Sequence, residues 1–144
     1  MPVSIRKIVL WRKEAANQPG VLAETLKPLA EAGVSLSVVM GYRYPGDPTR
    51  AAIELYPVSG KKAAAAAQAA GLSASQIPTI LVEGDDRPGL GHAIAQAVAG
   101  AGINLSFLVT QVIGSKYSAV IGFETEAELK KASGLIKKAA AGKR

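Results

Sequence analysis

The chain has 144 residues, 49% of them apolar, with a formal net charge of +6 and no cysteine. That length allows one ordinary domain or two very small ones, and the missing cysteines exclude disulfides, a thiolate nucleophile and the usual kind of zinc site. No apolar run is long enough to span a membrane, so a soluble globular protein is expected. A surplus of bases raises the question of nucleic acid, and their distribution answers it. Residues 1–70 carry nine bases and five acids, residues 71–144 eight and six, spread along both halves. The exception is the tail "KKASGLIKKAAAGKR", six bases and no acid, which suits the negative end of a helix dipole.

The first element is a β-rich run, "IRKIVLWRKE". Its apolar core is too short and too broken by charge for a signal peptide, and an intracellular, cytoplasmic location is the expectation. Next comes the junction "NQPGVL". A helix follows, with Val21, Leu22, Leu26 and Leu29 at helical spacing and Gly33 placed for a left-handed C-terminal cap. Pro19 falls where a helix's first turn tolerates proline. Pro28, inside the helix, removes a hydrogen bond and is expected to bend it, at about 3 kcal/mol if uncompensated. "VSLSVVMGYRY" and "RAAIELYPV" alternate as a strand pair around the turn "PGDPT", and "GKKAAAAAQAAG" closes the set as a helix.

The second half repeats this order. "TILVE" leads through "GDDRPGL" into a helix carrying Leu90, Ile94 and Val98, ended by Gly102. "INLSFLVTQVIG" and "KYSAVIGFE" flank the turn "GS", and "EAELKKASGLIKKAAA" is the last helix. A shift of 69 places lays Asn17-Gln18-Pro19-Gly20-Val21 on Asp86-Arg87-Pro88-Gly89-Leu90, and Ala32-Gly33-Val34-Ser35 on Ala101-Gly102-Ile103-Asn104. One residue of slippage then aligns Ala52-Ile53-Glu54-Leu55 with Val120-Ile121-Gly122-Phe123. A repeat of this length with a full set of elements predicts two small packed domains, residues 1–71 and 72–144. The expected fold class is α+β, two ferredoxin-like βαββαβ units side by side. Residues 72–77 can supply the closing strand of the first copy. The second copy runs out of chain, and residues 3–6 are expected to complete its sheet.

With both junctions in hand, the chain resembles a tandem pair of ACT domains. The resemblance rests on "NQPGVLAETLKPLAEAGVSL" and "DDRPGLGHAIAQAVAGAGINLSFL" and covers almost the whole sequence. It implies a regulatory protein that senses a small molecule, most often an amino acid, and acts in trans on a metabolic enzyme or regulator. It also implies a homodimer. By position it places ligand contacts at Asn17, Pro19, Gly20 and Val21, at Asp86, Pro88, Gly89 and Leu90, and at the second-strand positions Ser35 and Asn104. Pockets in this family commonly pair the loop of one unit with the strand of its neighbour. Asn17 with Asn104 would then offer two amides to a zwitterion. The reciprocal pairing of Asp86 with Ser35 puts a carboxylate where a ligand carboxylate belongs, so one good and one degenerate site are expected.

The residues support a ligand junction without the family. Free N–H groups at a helix start suit a carboxylate, glycine admits a ligand close to the backbone, and a short amide can orient it. The plainer role for Asn17 and Asp86 is helix capping. "GLGHAI" is a poor dinucleotide fingerprint, since its third glycine position is Ile94 and no βαβ unit follows. An RNA-recognition motif needs stacking aromatics that "RAAIELYPV" and "KYSAVIGFE" lack. His92, the sole histidine, belongs to the surface of a helix, and Asp85 beside Asp86 makes no acid/base pair by adjacency alone. Trp11, Tyr42, Tyr44, Tyr56 and Tyr117 read as packing or interface residues. No metal-ligand spacing occurs, so neither catalysis nor a cofactor is expected, nor a nucleic-acid or membrane partner. The rival reading is a ligand-free protein-interaction module of the same fold.

Overall fold

The computed structural model describes residues 3–141. The opening β-rich run resolves into two strands, β1 (Val3–Ile8) and β2 (Trp11–Ala16), and they enter different sheets. Helix α1 (Val21–Glu31), the hairpin β3 (Val38–Tyr44) and β4 (Asp47–Tyr56), helix α2 (Lys61–Ala69) and the short β5 (Ser73–Ala74) follow. Then come β6 (Thr79–Asp85), α3 (Leu90–Gly100), the hairpin β7 (Leu105–Ile113) and β8 (Lys116–Phe123), and α4 (Glu126–Ala141). The chain divides into two compact units after Ile8 and after Gln76: Val9–Gln76 form one, and β1 joins the residues from Ile77 onward in the other. The basic tail continues into residues 142–144, outside those described.

In the 9–76 unit the sheet order is β3-β4-β2-β5; in the other it is β1-β6-β8-β7, and every pairing is antiparallel. β1 runs along β6 from Val3 opposite Gly84 to Ile8 opposite Thr79. Strand alternation sends one face of each sheet toward its helices. Ile80, Val82, Ala119, Ile121 and Phe123 meet Leu90, Ile94 and Val98 of α3 and Leu129, Ala132 and Ile136 of α4. The core of the 9–76 unit is thinner. Ile53 and Leu55 meet Leu29, and α2 contributes only alanine to it, Ala67 fully buried.

The helix ends follow from the glycines. Gly33 has φ 75°, its N–H bonds Ala30, and the next N–H, on Val34, reaches back to Leu29. Gly102 repeats the arrangement, with Ile103 bonding Val98. Both are Schellman closures, which satisfy carbonyls a helix end otherwise leaves unpaired. Pro28 lies inside α1, which continues through it to Glu31.

The 69-place register holds from β2 and β6 through β3 and β7, and it slips in the second hairpin strand. Ala15 pairs with Ala51, and Gly84, 69 places after Ala15, pairs with Tyr117. Ala51 therefore corresponds to Tyr117, a shift of 66. The slippage is three residues rather than one. The cause is a bulge: Tyr44 pairs with Asp47 but Arg43 with Ala51, whereas Ile113 and Val112 pair with consecutive Lys116 and Tyr117. Residues 48–50 are the three extra positions.

Candidate functional site

Each Pro-Gly junction is a left-handed corner. Gly20 (φ 89°) and Gly89 (φ 85°) are the N-caps of α1 and α3, and neither helix receives a side-chain capping bond. Asn17 and Asp86 are thus not helix caps. Pro19 and Pro88 lie just outside their helices. The first helical N–H groups fold back onto the loop, Val21 to Gln18 and Leu90 to Arg87, and the fourth bonds the cap carbonyl, Glu24 to Gly20 and Ala93 to Gly89. That leaves the N–H groups of residues 22, 23, 91 and 92 with no acceptor in the preceding turn.

The strand exits are tied down in the same way in both units. The backbone N–H of Asn17 bonds the Thr49 carbonyl at 2.8 Å, and that of Asp86 bonds the Ser115 carbonyl at 2.8 Å. Asn17 adds a second tie, its Nδ2 donating to the Pro48 carbonyl at 2.8 Å. The bulge and the amide are matched: one supplies the carbonyl the other holds.

In the 9–76 unit these parts surround an open cleft of about 290 Å³. Asn17, Gln18 and Gly20 form its loop side, Val21 and Leu22 the start of α1, and residues 41–43 of β3 and 51–53 of β4 its floor. Alternation puts Gly41, Arg43, Ala51 and Ile53 on the helix-facing side of the sheet. Gly41 and Ala51 make the space, because neither fills it. The Arg43 side chain has no ion pair or hydrogen-bond partner among the described residues, and no acid lines the cleft. One cation and the positive end of a helix therefore face a small volume with an apolar floor, an arrangement that attracts an anion.

The other junction is built differently. Tyr117 stands where Ala51 stands, Val112 replaces Arg43, and by the 69-place shift Gly91 replaces Leu22. Tyr117 is 5% exposed, and its hydroxyl is buried without a hydrogen-bond partner. A methyl group on Gly91 would lie 3.7 Å from that hydroxyl, so the ring reaches the first turn of α3. Leu90 is a core residue, 1% exposed. Asp86 and His92 are exposed, and Arg87 turns toward the last turn of α4, 3.5 Å from the carbonyls of Ala139 and Ala140.

Ser35 and Asn104 are exposed and lie past the C-terminal ends of α1 and α3, before β3 and β7 begin. Within its own unit Ser35 is not part of the junction. It lines a separate hollow of about 250 Å³ with Ser59 and Lys62. Of the residues read from the sequence as ligand contacts, Asn17, Gly20 and Val21 line the cleft, and Gln18, Arg43 and Ala51, which that reading did not name, line it with them. A lone arginine amid the small and aromatic residues of "MGYRY" was the available signal.

Behind the cleft, the β2, β3 and β4 side chains of the opposite face form a polar network. Tyr42 donates to Glu54 at 2.7 Å, and Arg12 donates to Tyr44 at 2.8 Å and to Glu14 at 3.0 Å. Burial alone would lower the Arg12 pKa, but its bonds to Tyr44, Glu14 and Tyr42 outweigh that and raise it. Burial and the bond to Glu54 raise that of Tyr42. Arg12 and Tyr42 therefore both keep their protons throughout the neutral range.

No family model matches the chain, and no curated protein does. Solved structures match its fold. The regulatory subunit of aspartate kinase from Thermus thermophilus, in its ligand-free form, aligns with a TM-score of 0.64 at 19% identity over 96% of this chain and 97% of that one. The corresponding subunit from Thermus flavus gives 0.60 at 20% identity, over 96% and 97%. A protein from Bacteroides thetaiotaomicron gives 0.74 at 14% identity, over 93% and 89%. The chain has an ACT-like α+β fold of ferredoxin-like units. Among the described residues no helix is long and apolar enough to cross a membrane.

Proposed function

We propose that the chain is a tandem ACT-domain regulatory protein which binds a free amino acid or similar small carboxylate. It works in the cytoplasm, without catalysis or cofactor of its own, and acts in trans on a metabolic enzyme or regulator. The observation that carries this reading is the open cleft at the start of α1, where unpaired N–H groups, Gln18 and Arg43 meet over an apolar floor. The fold adds support, because it is shared with regulatory subunits of aspartate kinase.

The fullest form of the site adds Asn104 to Asn17 and Gly20, so that two amides orient the zwitterion. Charge-assisted hydrogen bonds are worth about 1.5–3 kcal/mol each, and about 1.4 kcal/mol is a factor of ten in affinity. Calorimetric titration with the twenty amino acids, repeated on Asn104→Ala and Asp86→Asn, tests it. Asn104→Ala should weaken the best ligand about tenfold or more, and Asp86→Asn should leave that site unchanged. If Asn104→Ala binds as tightly as the wild type, Asn104 is not part of the site.

If no amino acid binds, the interaction-module reading takes its place. One observation favours that reading: β7 is an edge strand, and its Leu108, Val109, Val112 and Ile113 are all exposed. Such an edge is a template for pairing with another chain, and under either reading we expect a homodimer. Sedimentation showing only monomer at micromolar concentration refutes the dimer.

A further inference from the structure

The two junctions share a backbone and differ in what fills them. In the 9–76 unit Gly41 and Ala51 leave the space under the helix start empty, and Arg43 stands at its edge unpaired among the described residues. In the other unit the corresponding residues are Thr110, Tyr117 and Val112. The Tyr117 ring belongs to the core there, and its hydroxyl is buried beside Gly91 with no partner. An aromatic alcohol buried without a hydrogen bond is costly, and burial of the ring that fills the space offsets that cost. Its presence marks the same location, in the sister unit, as one that accommodates a small organic group with a polar end.

Charge separates the junctions further. The open cleft has one cation and no acid in its lining. At the filled junction the cation's place is taken by Val112, Asp86 adds a negative charge to the loop, Lys116 is paired with Asp85, and Arg87 is turned toward α4. An anion is favoured at one and opposed at the other. The volume, about 290 Å³, sits at the lower end of the range for organic ligands, so the occupant is small.

We propose that the chain takes one small carboxylate, in the 9–76 unit with Arg43 meeting its charge, and that Tyr117 is the built-in occupant which closes the matching junction of the other unit. This rests on the reading of the junctions as ligand sites and deepens it, since it names the ligand's charge, the residue that selects it and the stoichiometry. Arg43 selects anion over neutral isostere; Tyr117 against Ala51 sets which unit is open.

The test is nitrogen-edited NMR of the full chain titrated with propionate and, separately, with its neutral isostere propionamide. Propionate should shift the amide signals of residues 22 and 23, and propionamide should do so at least tenfold more weakly. The signals of residues 91 and 92 should respond to neither. Arg43→Gln, at an exposed position that leaves the core intact, should abolish the preference for propionate. Installing the open-unit residues as Tyr117→Ala with Val112→Arg should make residues 91 and 92 respond to propionate. Propionate shifts at both junctions of the wild type, at neither, or an undiminished response in Arg43→Gln would each overturn the proposal, whether or not the double variant folds. The outcomes separate from those of the amino acid screen. Binding of propionate without any amino acid sinks the amino acid reading alone. An amino acid that binds while propionate ignores Arg43 sinks this one alone.

Discussion

Tyr117 is the residue whose chemistry is least at ease. Its ring belongs to the same buried core as Ile121 and Ile94, yet its hydroxyl meets no acceptor there. Leaving a buried donor unpaired costs about 1–3 kcal/mol. Tyr117→Phe removes that burden and keeps the ring, so the thermal midpoint should stay level or rise. A clear fall would mean that the hydroxyl has a partner and is not a space filler. Lys13 is the opposite case. Its ammonium donates to Thr25 Oγ1 at 3.3 Å and to the Ala70 carbonyl at 3.0 Å, tying α1 to the end of α2. Its stem also covers Gly71, whose Cβ position is 3.5 Å away. A unit with so thin a core depends on such a tie.

At the scale of elements, the hairpin ends are held by carboxylates. Asp85 at the end of β6 pairs with Lys116 at the start of β8, and this bond holds its pKa below the ordinary value. Asp47 in the β3–β4 turn accepts from the Thr49 hydroxyl and backbone, which depresses it likewise. Glu14 on β2 is lowered by Tyr44 and Arg12, and it also pairs with Arg50. A carboxylate depressed in the folded state lends stability in full above its unfolded pKa of about 3.9–4.3, and loses it as pH falls toward the folded value. Chemical denaturation should therefore show these groups contributing a constant amount above about pH 5 and progressively less below about pH 4. Asp85→Asn should flatten part of that acid decline while changing neutral stability little, as befits an exposed pair. An acid limb as steep in Asp85→Asn as in the wild type would count against the assignment.

Across the whole molecule, the chain's first strand belongs to its last unit. β1 lies at the edge of the sheet formed by β6, β8 and β7, burying Val3 and Ile8. Burying two such side chains is worth about 3–6 kcal/mol, while the exposed pairs Arg6–Glu83 and Lys7–Glu126 add little. Deleting residues 1–8 should thus lower the hydrogen-exchange protection of β6 and β8 and spare β2 and β4, which belong to the other unit. Protection unchanged in β6 would show that β1 is dispensable. The wild type should also exchange unevenly, with the thinner 9–76 unit opening first, since local stability follows buried apolar contact.

What the sequence determined by itself was local. The Pro-Gly corners, the glycine closures of α1 and α3, and the apolar spacing of Leu90, Ile94 and Val98 all follow from chemistry within a few residues, and all are present in the fold. The register of the second hairpin strand was decided only by the tertiary structure. Alignment by pattern gave a shift of 68 for residues 52–55, and the pairing with β2 and β6 makes it 66. The two differ by two residues, one full period of a strand, so both send the same alternation to the same face and the pattern cannot tell them apart. The bulge at residues 48–50, held by Asn17 and paid back only through contacts more than thirty residues away in the chain, settles it. With that choice came everything that distinguishes the two junctions. Tyr117 was set opposite Gly84, Ala51 opposite Ala15, and Arg43 beside an empty space, because which side chain faces which across a sheet is a property of pairing and not of any segment alone.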